Sequence, residues 1–240
     1  MTGNKMASDR ISGEEGNVLF LILIAVVLFA ALSYAVTRST NASSGSVDNE
    51  SNKIAAAQII QYPAGLRASI IRMTIGGMNA EDLRFDIPSD FSGLSGFTDQ
   101  VFHPYGGGAT WTEAPADLME NEMPGRWYFN AEFEIENIGL NSVSENRGNE
   151  IIAFLPGIKG GICSIINNDL GLSGVPTIAT DISTRYSLKM TVTDGYALPS
   201  DEVVLGVSAG NGSAVITGQP FGCFLNSNGN YVYYHVLADR

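Results

Sequence analysis

Basic side chains and histidines are scarce in this chain of 240 residues. Lys and Arg number 13 against 25 Asp and Glu, which gives a formal net charge of -12 at pH 7 and an isoelectric point near 4.4. Affinity for nucleic acid depends on cationic side chains that displace counterions from the phosphates. The composition therefore excludes nucleic acid as the expected partner.

The signatures of zinc proteases and of phosphate-binding loops are also missing. No His-Glu-x-x-His occurs, and no glycine run ends in Lys-Ser or Lys-Thr. The two histidines, His103 and His235, stand at no metal-ligand spacing to cysteine or carboxylate. We therefore predict no enzymatic activity, no metal site and no cofactor.

Cysteine is limited to Cys163 and Cys223. Outside the cytoplasm such a pair is free to form a disulfide. The bridge would close a loop of about 60 residues and contribute about 4 kcal/mol in the chain-entropy model. Two buried free thiols are the alternative.

Against these absences stands one long apolar block, Val18 to Val36, without a charged side chain. At a helical rise of about 1.5 Å per residue it spans the hydrocarbon core of a bilayer, roughly 30 Å thick. The sequence therefore predicts a transmembrane helix over residues 17–36. A buried core helix and the apolar region of a cleaved secretory signal are the alternatives.

The segments on either side of this block define the domain organisation. Residues 1–16 are hydrophilic and are interpreted as a leader or cytoplasmic tail. Residues 37–51 are rich in Ser, Thr and Asn, which is typical of a flexible linker. Residues 52–240 are predicted to form one extracytoplasmic α+β domain. Positive charge is nearly balanced across the block, so the charge count alone does not set the orientation. Because the N-terminal piece is short and charged, we expect it to stay in the cytoplasm while the rest of the chain crosses the membrane.

Hydrophobic periodicity predicts the elements of this domain. Residues 52–79 have a helical pattern, and Pro63 predicts a kink or a break near Tyr62. In the strand predicted over Arg126 to Glu136, apolar residues alternate with a solvated acidic face made by Glu132, Glu134 and Glu136. A short helix is predicted within 157–172, and further strands over 149–155, 186–193, 203–207, 213–217, 222–225 and 231–237.

A glycine-rich segment is the one candidate functional loop. His103 is followed by three successive glycines, Gly106, Gly107 and Gly108. Glycines leave the backbone free to adopt positive φ or to pass close to another group. His103 would then either orient a functional loop or hold the loop by a structural hydrogen bond.

The order of these segments resembles type IV prepilins and the pseudopilins of secretion systems. The resemblance rests on residues 9–79: a charged leader, Gly16, a long apolar helix and a second helical half. It implies cleavage by a membrane peptidase between Gly16 and Asn17. Family members usually have Phe or Met first and Glu fifth in the mature chain, where this chain has Asn17 and Leu21. The departures correspond to an atypical or minor member.

The resemblance implies a fold and a function. The expected fold is α+β, with the transmembrane helix continuing into a kinked amphipathic helix packed on an antiparallel β-sheet. The expected function is a structural subunit of a type IV pilus or a type II secretion-like filament, in the bacterial inner membrane with its C-terminal domain in the periplasm or on the filament. Its partners would be the lipid membrane and other pilin-like subunits. The alternative is a single-pass, membrane-anchored binding module.

Overall fold

The computed structural model describes residues 15–139, 150–178, 203–206 and 213–239. The chain divides into two compact units, Met1–Glu50 and Ser51–Arg240. The strand predicted over 186–193 lies outside the described residues. The remaining elements form an α+β architecture with an N-terminal apolar helix and an antiparallel β-sheet, which confirms the predicted fold class at that level.

A single helix, α1 (Glu15–Ile75), contributes to both units. Residues 37–51, predicted as a flexible linker, belong to this helix. Ser, Thr and Asn weaken a helix by only about 0.5 kcal/mol each, and the segment has no proline. Helix α1 also continues through Pro63 without a break. Pro63 is buried, and Ile59 and Leu66 on either side of it pack in the core, which holds the helix against the lost hydrogen bond.

The second unit is built on a sheet of five described strands. They are β1 (Tyr128–Ile135), β2 (Glu150–Pro156), β3 (Val203–Leu205), β4 (Phe221–Leu225) and β5 (Tyr231–Ala238). Their order across the sheet is β3-β1-β2-β5-β4. All neighbouring pairs are antiparallel except β1 and β3, which are parallel. The sheet is thus antiparallel with one parallel strand at its edge.

Both faces of the sheet are buried. One face packs against α1 and against a second helix, α2 (Gly160–Asp169), through residues such as Ile70 and Ile162. The opposite face has its own cluster, which includes Phe154, Val232 and Ile216. Burial on both sides explains why β2 is apolar from Ile151 to Pro156 and does not alternate.

The prediction that Glu134 lies on a solvated acidic face of β1 is wrong, because Glu134 is only 6% exposed. The pairing of β1 with β2 shifts register between Asn130 and Phe133. The shift places Phe129 in the cluster on the helix side and Phe133 in the cluster on the opposite side. A bulge reverses the direction of all later side chains, so strict alternation mispredicts the buried set.

Residues 213–217 do not form the predicted strand. Ala214–Ile216 is a turn of 3-10 helix, and the Ser213 hydroxyl accepts a hydrogen bond from the Val215 amide at 3.4 Å. Such local capping competes with strand pairing.

The predicted hairpin between β4 and β5 is confirmed, because the two strands pair antiparallel. In the turn, the Asn226 side chain accepts hydrogen bonds from the amides of Asn228 and Asn230 at 3.0 and 2.9 Å.

Candidate functional site

The apolar segment of the first unit is exposed along its whole length. Val18–Thr37 is helical, has a mean hydropathy of 2.8, and is 0% buried. It is long and apolar enough to span a membrane. A core helix of a soluble domain would bury most of these side chains, so that alternative fails for the first unit. An exposed apolar surface of this extent marks a membrane or protein interaction site.

The predicted processing site lies at the start of α1. Gly16 and Asn17 follow Glu15, the first helical residue. Cleavage between them stays a prediction.

The two cysteines are joined, which decides between the two alternatives for them. Cys163 on α2 is bonded to Cys223 on β4, with a Cα–Cα separation of 5.5 Å, and both residues are fully buried. The bridge fastens α2 to the edge strand of the sheet.

A second connection between α2 and β4 was not predicted. The Asn167 side chain accepts from the Cys223 amide at 2.8 Å and donates to the Cys223 carbonyl at 2.9 Å and the Gly174 carbonyl at 2.8 Å. Asn167 is fully buried. Its amide satisfies backbone groups of β4 at the edge of the sheet, as another strand would. Its sequence signal is a polar residue four positions after Cys163 on an otherwise apolar face.

The glycine-rich loop is compact because its backbone is closely packed. A Cβ on Gly106 would lie 2.1 Å from the Gln100 carbonyl oxygen, and one on Gly107 would lie 2.5 Å from that of Val101. Gly108 has a φ of +62°. Arg72 on α1 donates a hydrogen bond to the Gly107 carbonyl, which ties the loop to the helix. Close packing at Gly106 and Gly107 and the positive φ of Gly108 therefore explain why these three positions are glycine.

His103 stabilises the same loop. Its ring stacks on Phe97 at a centroid distance of 4.1 Å and meets the edge of Phe91 at 4.8 Å. Its Nδ1 accepts a hydrogen bond from the Tyr105 amide at 3.2 Å. These contacts favour the structural role of His103 over a functional one.

A concavity of the second unit lies away from this loop, along the exposed side of α1. A cavity of about 480 Å³ is bounded by α1 at Gln58, Gln61, Gly65 and Ser69, and by the segment 109–112 on the other side. Two cavities of about 180 Å³ adjoin it further toward the N-terminal end of this part of the helix. We call the three together the α1 groove. No sequence motif marks it, because helix and loop form it jointly.

Tyr62 forms part of the wall of the α1 groove. Its ring packs on Trp127 at 5.2 Å, and its hydroxyl accepts a hydrogen bond from the Thr112 amide at 3.4 Å. Burial raises the pKa of Tyr62 to about 12. The hydroxyl is therefore neutral at physiological pH and retains a proton to donate.

One sequence pattern favours an enzyme. GVSAG, residues 206–210, matches Gly-x-Ser-x-Gly and follows directly on β3. In hydrolases with this pattern the serine needs a histidine within hydrogen-bonding reach. Ser208 lies outside the described residues. Both histidines have a hydrogen-bond partner at Nδ1. The partner of His103 is the Tyr105 amide, and the partner of His235 is the Tyr233 hydroxyl. The absence of enzymatic activity stays a prediction.

His235 is a buried histidine on β5. Its Nδ1 lies 2.7 Å from the Tyr233 hydroxyl, and its ring stacks on Phe221 at 5.3 Å. Burial, and next the positive charge of Arg67, lower the pKa of His235 from 6.5 to about 4. The neutral ring fits this site and the imidazolium does not.

This histidine makes stability depend on pH. Between the unfolded pKa of 6.5 and the folded pKa of about 4, the unfolded chain binds more protons than the folded one. The contribution of His235 is complete above pH 6.5 and is lost as the pH falls toward 4, by about 3 kcal/mol in total. We expect His235→Asn, which keeps an acceptor for Tyr233, to flatten the pH dependence of urea midpoints over this range. Equal slopes for both proteins would contradict the assignment.

Within the described ranges, no group of three or more His, Cys, Asp or Glu residues is placed to hold a metal ion. The geometry thus offers an exposed apolar helix, an α+β unit closed by a disulfide, and the α1 groove. No known protein family matches the chain, and neither does any curated protein or solved structure.

Proposed function

We propose that this protein is a pilin-like structural subunit of a type IV pilus or a type II secretion-like filament, held in the membrane by its apolar helix before assembly. The observation that carries the proposal is α1 itself. It begins with an apolar segment, Val18–Thr37, that is 0% buried, and ends packed on a β-sheet in the second unit. Lipid and the helices of other subunits are the two environments that cover such a segment.

The outward side of α1 in the second unit supports self-association. Seven of its exposed residues follow alternating steps of three and four, which is the spacing of a helix–helix seam. None of them is charged, and the two at the C-terminal end, Ile71 and Ile75, are 46% and 82% exposed. The stripe consists of Ile54, Ala57, Gln61, Ala64, Ala68, Ile71 and Ile75.

A second candidate is a membrane-anchored extracytoplasmic binding module, in which the helix serves only as a tether. The α1 groove favours it, because a concave surface with free hydrogen-bonding groups is a typical ligand site. The two candidates differ in what happens at Gly16.

The mature N-terminus tests the proposal. If the chain is a prepilin, mass spectrometry of the membrane-embedded protein should show a chain that starts at Asn17, with an N-methylated amino group. Gly16→Val should retain the leader, because the peptidase acts after glycine. Gly13→Val, in the same leader, is the matched control and should be processed normally.

Two results would reject this reading. An intact Met1 in the wild-type membrane protein would favour the tethered binding module. Unchanged processing of Gly16→Val would show that cleavage does not depend on this glycine.

A further inference from the structure

No contact among the described residues requires a glycine at position 65. Gly65 lies in the interior of α1 with ordinary helical φ, and a Cβ built on it would meet no described atom within 4 Å. Glycine is the poorest helix former after proline, and alanine would fit this position without strain. Gly65 lines the cavity of about 480 Å³ in the α1 groove, and the open space over Gly65 is part of that cavity. A glycine here suits the close approach of something outside the chain.

The groove is elongated. Its three cavities adjoin along α1 from Ser51 to Ser69 and share Gln58. At about 1.5 Å per residue, this stretch of helix is about 27 Å long. An extended peptide of about eight residues has the same length.

Both walls offer hydrogen-bonding groups of the kind that pair with a peptide backbone. Gln58 and Gln61 present primary amides, each able to donate and to accept. On the opposite wall, the backbone groups of Thr110 make no hydrogen bond within the described residues. A peptide carries a donor and an acceptor at each residue and so matches this arrangement.

Charge along the groove is asymmetric. The cavity over Gly65 is lined by no charged residue, whereas the two smaller cavities include Glu113 and Asp117. Neither carboxylate forms an ion pair within the part of the chain that the structure describes. Lys159 lines the last cavity and only partly offsets them. The occupant should be uncharged at one end and basic at the other.

We propose that the α1 groove binds an extended segment of a partner protein, with a small uncharged residue over Gly65 and a basic residue beside Glu113 and Asp117. The inference uses the second unit alone, and of the residues that line the groove only Ile54 and Gln61 also belong to the exposed stripe of α1. Binding here would require neither cleavage at Gly16 nor assembly of the apolar helix.

The test is selection of random peptides of about ten residues on the full-length chain in detergent. Enriched peptides are then measured against Gly65→Leu, which fills the space over the helix, and against Thr74→Leu. Thr74 is exposed on the same helix, lines none of the three cavities and lies outside the exposed stripe. Leucine is a better helix former than glycine, so a melting temperature no lower than that of the wild type shows that Gly65→Leu is folded.

The proposal expects peptides with a basic residue that bind the wild type and Thr74→Leu alike and bind Gly65→Leu at least about tenfold more weakly. Reversal of the charge in Glu113→Lys/Asp117→Lys should remove the preference for a basic residue. The absence of enriched peptides would overturn the proposal, as would equal binding to Gly65→Leu. Gly65-dependent binding of maltohexaose in place of peptides would also overturn it and identify a saccharide site.

Discussion

Replacing Cys163 and Cys223 together by alanine is expected to lower the free energy of unfolding of the second unit by about 4 kcal/mol. The bridge joins residues 60 positions apart and so restricts the unfolded chain strongly. The measurement is a urea or guanidinium titration of the full-length chain in detergent, followed by tryptophan fluorescence, to which Trp127 in the native core contributes. Wild-type protein unfolded in the presence of reductant should give the same midpoint as the variant.

The disulfide also connects stability with location. Disulfides persist outside the cytoplasm and are rare within it. Protein made in a reducing cytoplasm should therefore have the lower midpoint, and protein recovered from the periplasm the higher one. A stability loss below about 1 kcal/mol would show that Asn167 and the core hold α2 on β4 without the bridge.

The sequence could predict the disulfide as a candidate but not Asn167. With two cysteines there is one possible pairing, and only the location of the domain decides whether it forms. Asn167 depends on where α2 meets the sheet edge, and that contact spans 56 positions in the sequence. No local pattern records which backbone groups a buried amide will satisfy.

The same reason limits prediction of the core face of α1. Its second half has apolar residues on two sides, with Ile54 and Ile71 on one and Ile59 and Ile70 on the other. The structure buries Ile59 and Ile70 and leaves Ile54 63% exposed. Periodicity identifies the helix, but the sheet selects the side that becomes the core. The exposed side is then available for a partner, which is the part of the site that the sequence pattern left ambiguous.

The β1 strand and the α1 groove mark the other limits. Alternation predicts the strand, but the bulge after Asn130 changes which side chains are buried, and the pairing partner determines where a bulge falls. The groove requires the segment 109–112 to lie beside α1, although the two are separated by some 40 positions in sequence. Gly65 was detectable in the sequence as a glycine inside a helical pattern, and its role was not.

Placing two lysines in the apolar segment, Leu23→Lys with Val27→Lys, is expected to release the protein from membranes. Both positions lie near the centre of Val18–Thr37 and are exposed in the helix, 63% and 57% respectively. A lysine at the centre of a spanning helix costs roughly 3 kcal/mol on insertion scales, so the pair costs about 6 kcal/mol. Alkaline carbonate extraction of cell membranes should leave the wild type in the pellet and move the variant to the supernatant.

The matched control is Leu23→Ala with Val27→Ala, which shortens the same side chains without adding charge and should stay in the pellet. The two alternatives for the apolar segment then separate. If the helix spans the membrane or waits there for assembly, retention of the protein in the membrane pellet depends on it. The lysine pair then moves the protein to the supernatant, and the alanine pair does not. A cleaved secretory signal would instead give wild-type protein that lacks residues 18–37 and is soluble without detergent, and that outcome would remove the basis for both the filament subunit and the tethered module.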